Sequence, residues 1–215
     1  MKTLHVLAQK EIGYGLSILP GDCFIASARN RLITEFLESP CTDLFFVDDD
    51  LQWHAEDFAK LLEAPFDVVS GIYRQKLDVT PHQYPVELTL NEKDNALITA
   101  EYEGNTFYQA NSLPAGFLRI RRSVIEKMIV EFPQMYAWPE KGQGVKFHHA
   151  LFEAGVCYEQ EKFHGEDYNF CQKLRSIGVD LWTLPDLHFA HIGKKKYEGN
   201  LQHQINEVMK EAQHG

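Results

Sequence analysis

The chain has 215 residues, of which 44% are hydrophobic and 24% charged, values that exclude a disordered or collagen-like chain. At ~150 residues per domain this length favours a single compact domain that can fold without disulfides or metal. The charge sum, 21 basic against 31 acidic residues for a net of −10, argues against a general phosphate-tracking surface and leaves room only for a local basic patch.

In chain order, residues Leu4 to Ala8 read as either a first strand or a helix. Ser27 to Leu37 places Ile33, Phe36 and Leu37 on one helical face. Leu44 to Val47 is a short, buried-type strand, and Ala55 to Leu62 is a helix with Phe58, Leu61 and Leu62 on one side. Asp67 to Ser70 repeats the strand signal, giving a βαβ rhythm. Glu87 to Leu90 and Ala96 to Tyr102 flank an Asn/Asp-rich turn and predict an antiparallel hairpin.

Ser123 and Glu126 form a capping-box pattern for a helix that must stop before Pro133. Met135 to Gly144 mixes Trp138, Pro139 and glycines without periodicity and reads as a surface loop. Glu166 to Ile177 is a helix striped by Phe170, Leu174 and Ile177 and stopped by Gly178. A strand, Asp180 to Leu184, and a final helix marked by Leu201, Ile205 and Val208 complete the pattern. Parallel units followed by antiparallel pieces predict an α/β sandwich with a mixed sheet. Cys23, Cys41, Cys157 and Cys171 form no CxxC pair and read as small residues of a reduced core. No run approaches the ~20 apolar residues of a membrane span, and Met1 to Lys10 lacks the core of a secretion signal, so a cytoplasmic protein is expected.

Four constellations carry chemistry. After the apolar strand come Asp48, Asp49 and Asp50, and ligands of open α/β sheets bind beyond the carboxyl ends of strands. Crowded carboxylates repel, and Mg²⁺ or Mn²⁺ relieves them; a solvated acidic turn is the other reading. Glu166 and Asp167 open a helix, where the dipole favours the ionised form that a general base needs, although acids there are also routine caps. His191 follows a strand as a possible metal ligand, and Lys194 to Lys196 form a basic run able to neutralise a diphosphate or merely to solubilise a turn. Ala28-Arg29-Asn30-Arg31, at a helix start, is placed to hold a phosphate or a base edge if it is not simply solvated.

The order of Ala28-Arg29-Asn30, Asp48-Asp49-Asp50, Asp67 to Tyr73, Gly116-Phe117 before Arg121-Arg122-Ser123, Glu166-Asp167 and His191 resembles GT-A glycosyltransferases of the family 2 type, especially the small forms of phages and large viruses. The resemblance implies a GT-A α/β/α sandwich around a mixed, mainly parallel sheet. It implies one domain over residues 1–215, with a nucleotide-sugar half at 1–115, an acceptor and catalytic half at 116–200 and a C-terminal helix at 201–215. Asp48 and Asp50 would carry the metal and, with Asp49, the ribose and diphosphate, and His191 would complete the metal site. Arg29 would contact the nucleotide, and Lys194 and Lys196 the diphosphate. Asp167 would be the base, with Glu166 second, and Gly116, Phe117 and Trp138 would line the acceptor side.

The implied reaction moves a sugar from a nucleoside-diphosphate sugar to a glycan, protein or other hydroxyl, with inversion and with Mn²⁺ or Mg²⁺ as cofactor. A viral enzyme of this kind would act in the host cytoplasm. A nucleic-acid acceptor gains no support from the net charge of −10. Trp53, Tyr73, Trp138 and Phe163 are candidates for stacking on sugar rings or for the core. Two other readings stand beside this one: a non-catalytic nucleotide-sugar or carbohydrate-binding protein, and a metal-dependent nucleotidyl or phosphoryl transferase. The latter lacks a GxxxxGK[ST] phosphate loop.

Overall fold

A computed structural model describes residues 2–140, 144–157 and 161–214. The elements in chain order begin with α1 (Lys2–Gln9), α2 (Ile25–Leu37), β1 (Asp43–Val47), β2 (Leu51–Trp53), α3 (Ala55–Glu63) and β3 (Val68–Gly71). There follow β4 (Glu87–Leu88), β5 (Thr99–Tyr102), β6 (Asn105–Ser112), β7 (Phe117–Arg121) and α4 (Arg122–Glu131). The last are β8 (Met135–Glu140), β9 (Gly144–His149), β10 (Gly155–Cys157), β11 (Lys162–His164), α5 (Glu166–Ser176), β12 (Leu181–Leu184), β13 (Phe189–Ile192), β14 (Lys196–Gly199) and α6 (Leu201–His214). The chain divides into two compact units, one of residues 1–13, 45–119 and 180–215, the other of 14–44 and 120–179.

The first unit is built on a mixed sheet ordered β1-β7-β3-β12-β6-β4, with β5 also paired to β6. It is mixed, as the sequence predicts. β3 and β12 run parallel, whereas β6 is antiparallel to β12, β4 and β5. β5 and β6 are joined by a tight turn in which Glu103 and Gly104 both take positive φ, 48° and 73°, as a two-residue hairpin requires. The expected hairpin of Glu87–Leu90 with Ala96–Tyr102 survives in its inner part, closed by the Leu90–Leu97 bridge and by Asn91 N–H to Ala96 O at 2.8 Å, and its outer arms, β4 and β5, pair with β6. The polar letters of β6, Asn105, Gln109, Asn111 and Ser112, hide it from a strand pattern. Residues 4–8 resolve as helix within α1, where Leu7 is buried and Thr3 Oγ1 accepts the Trp53 indole N–H at 3.0 Å.

A second sheet in this unit, β14-β13-β2, was not legible as strands. Between the sheets' residues lies an aromatic core: Phe117 is fully buried, with the rings of Phe45 and Phe189 at 4.9 Å and Trp53 at 5.3 Å. Fully burying one such side chain is worth roughly 1.5–3 kcal/mol. Arg119, also fully buried, spends its guanidinium on the carbonyls of Leu61, Ala64 and Phe66. These are the orphan carbonyls at and beyond the end of α3, so the charge acts as a helix C-cap.

In the second unit, Phe152 and Phe170 stack at 4.0 Å, and Asn30 locks the chain at Phe152 by bonding both its N–H and its C=O, at 2.8 and 2.9 Å. α4 starts one residue before the expected Ser123 cap, because Arg122 turns back to the carbonyls of Phe36, Ser39 and Cys41. α5 ends as expected at Gly178, φ 73°, where Gly178 N–H bonds Arg175 O and Val179 N–H bonds Leu174 O, a Schellman motif.

The predicted loop at Met135–Gly144 is instead the first arm of the β8–β9 hairpin, with residues 141–143 outside the described residues. Pro139 is tolerated because the ribbon has only two strands and its nitrogen needs no partner on the open edge. In α6, Leu201 and Ile205 are buried as their spacing predicts, while the Val208 side chain lies outside the description. All four cysteines are free; Cys171 is buried, but Cys23 is exposed rather than in the core. Among the described residues no helix is long and apolar enough to cross a membrane.

A Cβ at Gly71 would stand 2.5 Å from the Phe189 ring and 3.0 Å from the Phe117 ring. Gly71→Ala is therefore expected to cost about 1–3 kcal/mol through overpacking. An unchanged urea midpoint would show that the aromatic core can yield there.

Candidate functional site

The acidic turn is placed by strand pairing. β2 leaves the turn antiparallel to β13 with Leu51 opposite His191 and Trp53 opposite Phe189, and Ile192 N–H donates to Asp50 O at 2.7 Å. That register fixes His191 beside Asp50, although the two are far apart in sequence. His191 Nδ1 lies 2.9 Å from Arg74 O. A carbonyl can only accept, so Nδ1 carries the hydrogen and neutral His191 keeps its lone pair on Nε2. Tyr73 supports the ring edge-on at 4.9 Å.

Nε2 lies 3.4 Å from Asp50 Oδ1, a buried oxygen with no hydrogen-bond partner among the described residues. Two lone pairs facing each other repel, and a proton or a metal ion between them removes the repulsion. An oxygen and an imidazole nitrogen, the latter oriented by a backbone carbonyl, fit a divalent cation, with Mn²⁺ better suited than Mg²⁺ to the mixed pair. Among the described residues no three His, Cys, Asp or Glu side chains gather to hold a metal. Protein ligation would therefore stop at Asp50 and His191. The other carboxylate oxygen, Asp50 Oδ2, is paired with Lys76 Nζ.

Asp48 flanks the same turn, its N–H bonded to Gly116 O at 2.8 Å. A Cβ at Gly116 would fall 2.5 Å from Asp48 Oδ2 and 2.3 Å from the Tyr73 hydroxyl. Gly116 is thus the space in which the Asp48 carboxylate lies, which associates it with the acidic turn rather than an acceptor wall. Phe117 cannot line an acceptor pocket because its ring is sealed in the aromatic core. Asp49 points to solvent.

Of the lysine run, Lys195 pairs with Asp78 at 2.6 Å, and Lys194 and Lys196 are exposed around the β13–β14 turn. Gly193 N–H bonds Lys195 O at 3.0 Å, so the segment is a closed hairpin turn rather than a lid.

In the second unit, Arg29 is buried against Phe152 and paired with Glu166 at 2.5 Å. The expected phosphate cradle at residues 28–31 is not at a helix start: α2 begins at Ile25, Asn30 is spent on Phe152, and Arg31 pairs with Asp22 at 3.2 Å. Asp167 is half-buried, and its Oδ1 accepts the Tyr168 N–H at 2.8 Å. Gly165 gives it room, since a Cβ there would lie 3.1 Å from Oδ1.

Burial, then the neighbouring charge of Glu166, raises the Asp167 carboxyl above its ordinary value, with the Tyr168 N–H and Arg29 pulling the other way. Desolvation outweighs the helix-start effect that the sequence reading relied on. Trp138 lies half-buried in the β8–β9 ribbon opposite Lys146. Of the stacking candidates, Tyr73 and Trp53 are core or near-core residues, whereas Phe163 exposes 70% of its surface. Lys76 and Arg74 were missed by the sequence reading; both lie in the aperiodic stretch after β3, and only tertiary pairing brings them to Asp50 and His191.

No protein-family model matches the chain. No curated protein matches it. Among solved structures, the crystal structure of A197 from STIV matches with a TM-score of 0.52 at 20% identity, over 94% of this chain and 83% of that one. The chain shares its fold with A197. At that identity the likeness concerns the fold alone.

The two neighbouring acids should respond oppositely to neutralisation. Because the folded state binds the Asp167 proton more tightly than the unfolded chain does, stability falls as pH rises from the ordinary carboxylate value through the raised one. Asp167→Asn should therefore raise the melting temperature at pH 7, and the gain should shrink towards pH ~4, the ordinary aspartate value. Glu166→Gln should instead lower stability by about 3 kcal/mol, since it deprives a buried guanidinium of its paired carboxylate. Thermal melts of both variants across pH check the pair; equal shifts of one sign would refute the assignment.

Proposed function

We propose that the protein is a divalent-metal-dependent glycosyltransferase of the GT-A type, moving a sugar from a nucleoside-diphosphate sugar to an acceptor hydroxyl with inversion. The observation that carries this reading is the Asp50–His191 pair, a buried, unbonded carboxylate oxygen facing the free nitrogen of an imidazole just beyond the end of β1. Its support comes from the order of motifs in the sequence and from the α/β fold shared with A197.

In this reading Asp50 and His191 would hold the cation, and Asp48, lodged against Gly116, would face the ribose and diphosphate. The bound cation supplies Lewis-acid neutralisation of the charge on the leaving nucleoside diphosphate. For the base that accepts the proton of the acceptor hydroxyl, the resemblance points to Asp167 of the second unit, and the acceptor oxygen bonds to the anomeric carbon. The bond from that carbon to the diphosphate oxygen breaks with its electron pair going to the diphosphate. A single displacement inverts the carbon. Glu166 is less suited to the base role because its carboxylate is committed to Arg29, while the raised Asp167 carboxyl has the proton affinity that a base requires.

Transfer should be measured with panels of nucleoside-diphosphate sugars and Mn²⁺. Asp50→Ala should abolish metal-dependent nucleotide binding in calorimetry while leaving the circular dichroism spectrum unchanged. Equal nucleotide affinity in Mn²⁺ and in EDTA would overturn the metal assignment. Asp167→Asn should keep donor binding and lose turnover by on the order of 10²-fold or more. Metal-dependent donor binding without transfer or donor hydrolysis across the panel would mark the chain as a binding protein on the same fold.

A further inference from the structure

The lysine that meets the acidic turn is not in the basic run. Lys76 Nζ pairs with Asp50 Oδ2, and its stem lies over Gly193, with Cδ 3.1 Å from where a Cβ of residue 193 would stand. Gly193 thus provides the track along which the lysine reaches the carboxylate. Asp50 is divided between two partners: Oδ1, turned inward, faces the lone pair of His191 Nε2, and Oδ2, turned outward, holds the ammonium. Both side chains keep about a third of their surface exposed, 34% for Lys76 and 35% for Asp50, so the ammonium is free to move into solvent or onto an incoming anion.

We propose that Lys76 is a ligand for the donor's diphosphate and, before the donor arrives, a placeholder cation on Asp50. The inference rests on the metal site of the proposed function and adds a residue and a coupling to it. A divalent ion held by Asp50 and His191 would share the Asp50 carboxylate with the Lys76 ammonium, and like charges sharing one carboxylate repel. Lys76 therefore weakens binding of metal alone. A diphosphate reverses the sign: its oxygens attract both cations, the ammonium transfers from Asp50 to a phosphate oxygen, and metal and diphosphate then bind cooperatively. Lys194 and Lys196 are not required in this scheme, and Lys195 remains on Asp78.

The test uses the full chain and three probes: Mn²⁺ alone, inorganic pyrophosphate with Mn²⁺, and uridine diphosphate with Mn²⁺, followed by calorimetry and by the Mn²⁺ paramagnetic resonance signal. Lys76→Met keeps the stem and removes the charge; Lys76→Arg keeps the charge. Lys76→Met should bind Mn²⁺ alone severalfold more tightly than the parent. It should bind pyrophosphate in Mn²⁺ about tenfold more weakly, the worth of one charge-assisted hydrogen bond. Lys76→Arg should restore most of the pyrophosphate affinity, which a merely misfolded site would not. Uridine diphosphate weakened to the same degree as pyrophosphate places the contact on the diphosphate. Wild-type binding of Mn²⁺ and pyrophosphate that is unaltered in Lys76→Met overturns this inference alone. Absence of Mn²⁺ binding to the parent under all three conditions overturns the metal site and this inference together.

Discussion

The candidate chemistry of the first unit depends on one register, the antiparallel pairing of β2 with β13. With Leu51 opposite His191, the ladder sets the imidazole beside Asp50, and the Ile192 N–H ties down the Asp50 carbonyl. A slip of one residue would turn His191 to the other face of the ribbon and replace it with Ala190 or Ile192. Aromatic packing makes the slip costly. Phe189, two residues before His191, is buried against Phe117 and leaves no room for a Cβ at Gly71. The core thus fixes the strand, the strand fixes the histidine, and the Arg74 carbonyl fixes its tautomer.

Absent side chains matter as much as present ones. Gly71 admits the Phe189 ring, Gly116 admits the Asp48 carboxylate and the Tyr73 hydroxyl, Gly193 admits the Lys76 stem, and Gly165 admits the folded-back Asp167 carboxylate. At Gly71, Gly116 and Gly193 φ lies outside the left-handed region, so their requirement is close approach rather than backbone freedom. Polar groups are in this way brought against ring edges and carboxylates at distances a methyl group would forbid.

The sequence made some of this legible and concealed the rest for physical reasons. Asp48 to Asp50 stood out because charge following an apolar strand is a local contrast, and α5 with its Gly178 stop because a helix declares its period and its end. His191 could be placed at the site only through resemblance, since its strand is short and its partner lies far away in the chain. The Phe117 assignment failed because an aromatic residue beside a glycine reads equally well as a pocket wall and as core, and only the surrounding rings decide. Arg29 and Arg119 were the opposite case. An arginine is expected outside, yet both are buried, one paired with Glu166 and the other spent on carbonyls near the end of α3. Lys76 sits in a stretch without period or motif, and nothing local marks it.

The adjacent acids at the start of α5 show how one fold divides labour between like groups. Glu166, one residue closer to the helix start, reaches Arg29 and has its charge neutralised by it, so it serves the structure. Asp167, one methylene shorter, folds back on the Tyr168 N–H and is left with the cost of burial and of Glu166's charge. Neither residue type nor position in the helix separates them, because both are acids of the first turn. The buried arginine does: it pairs with Glu166, while Asp167 turns to the Tyr168 N–H. Burial first, and the neighbouring Glu166 second, raise the Asp167 carboxyl's hold on a proton, the direction a general base needs.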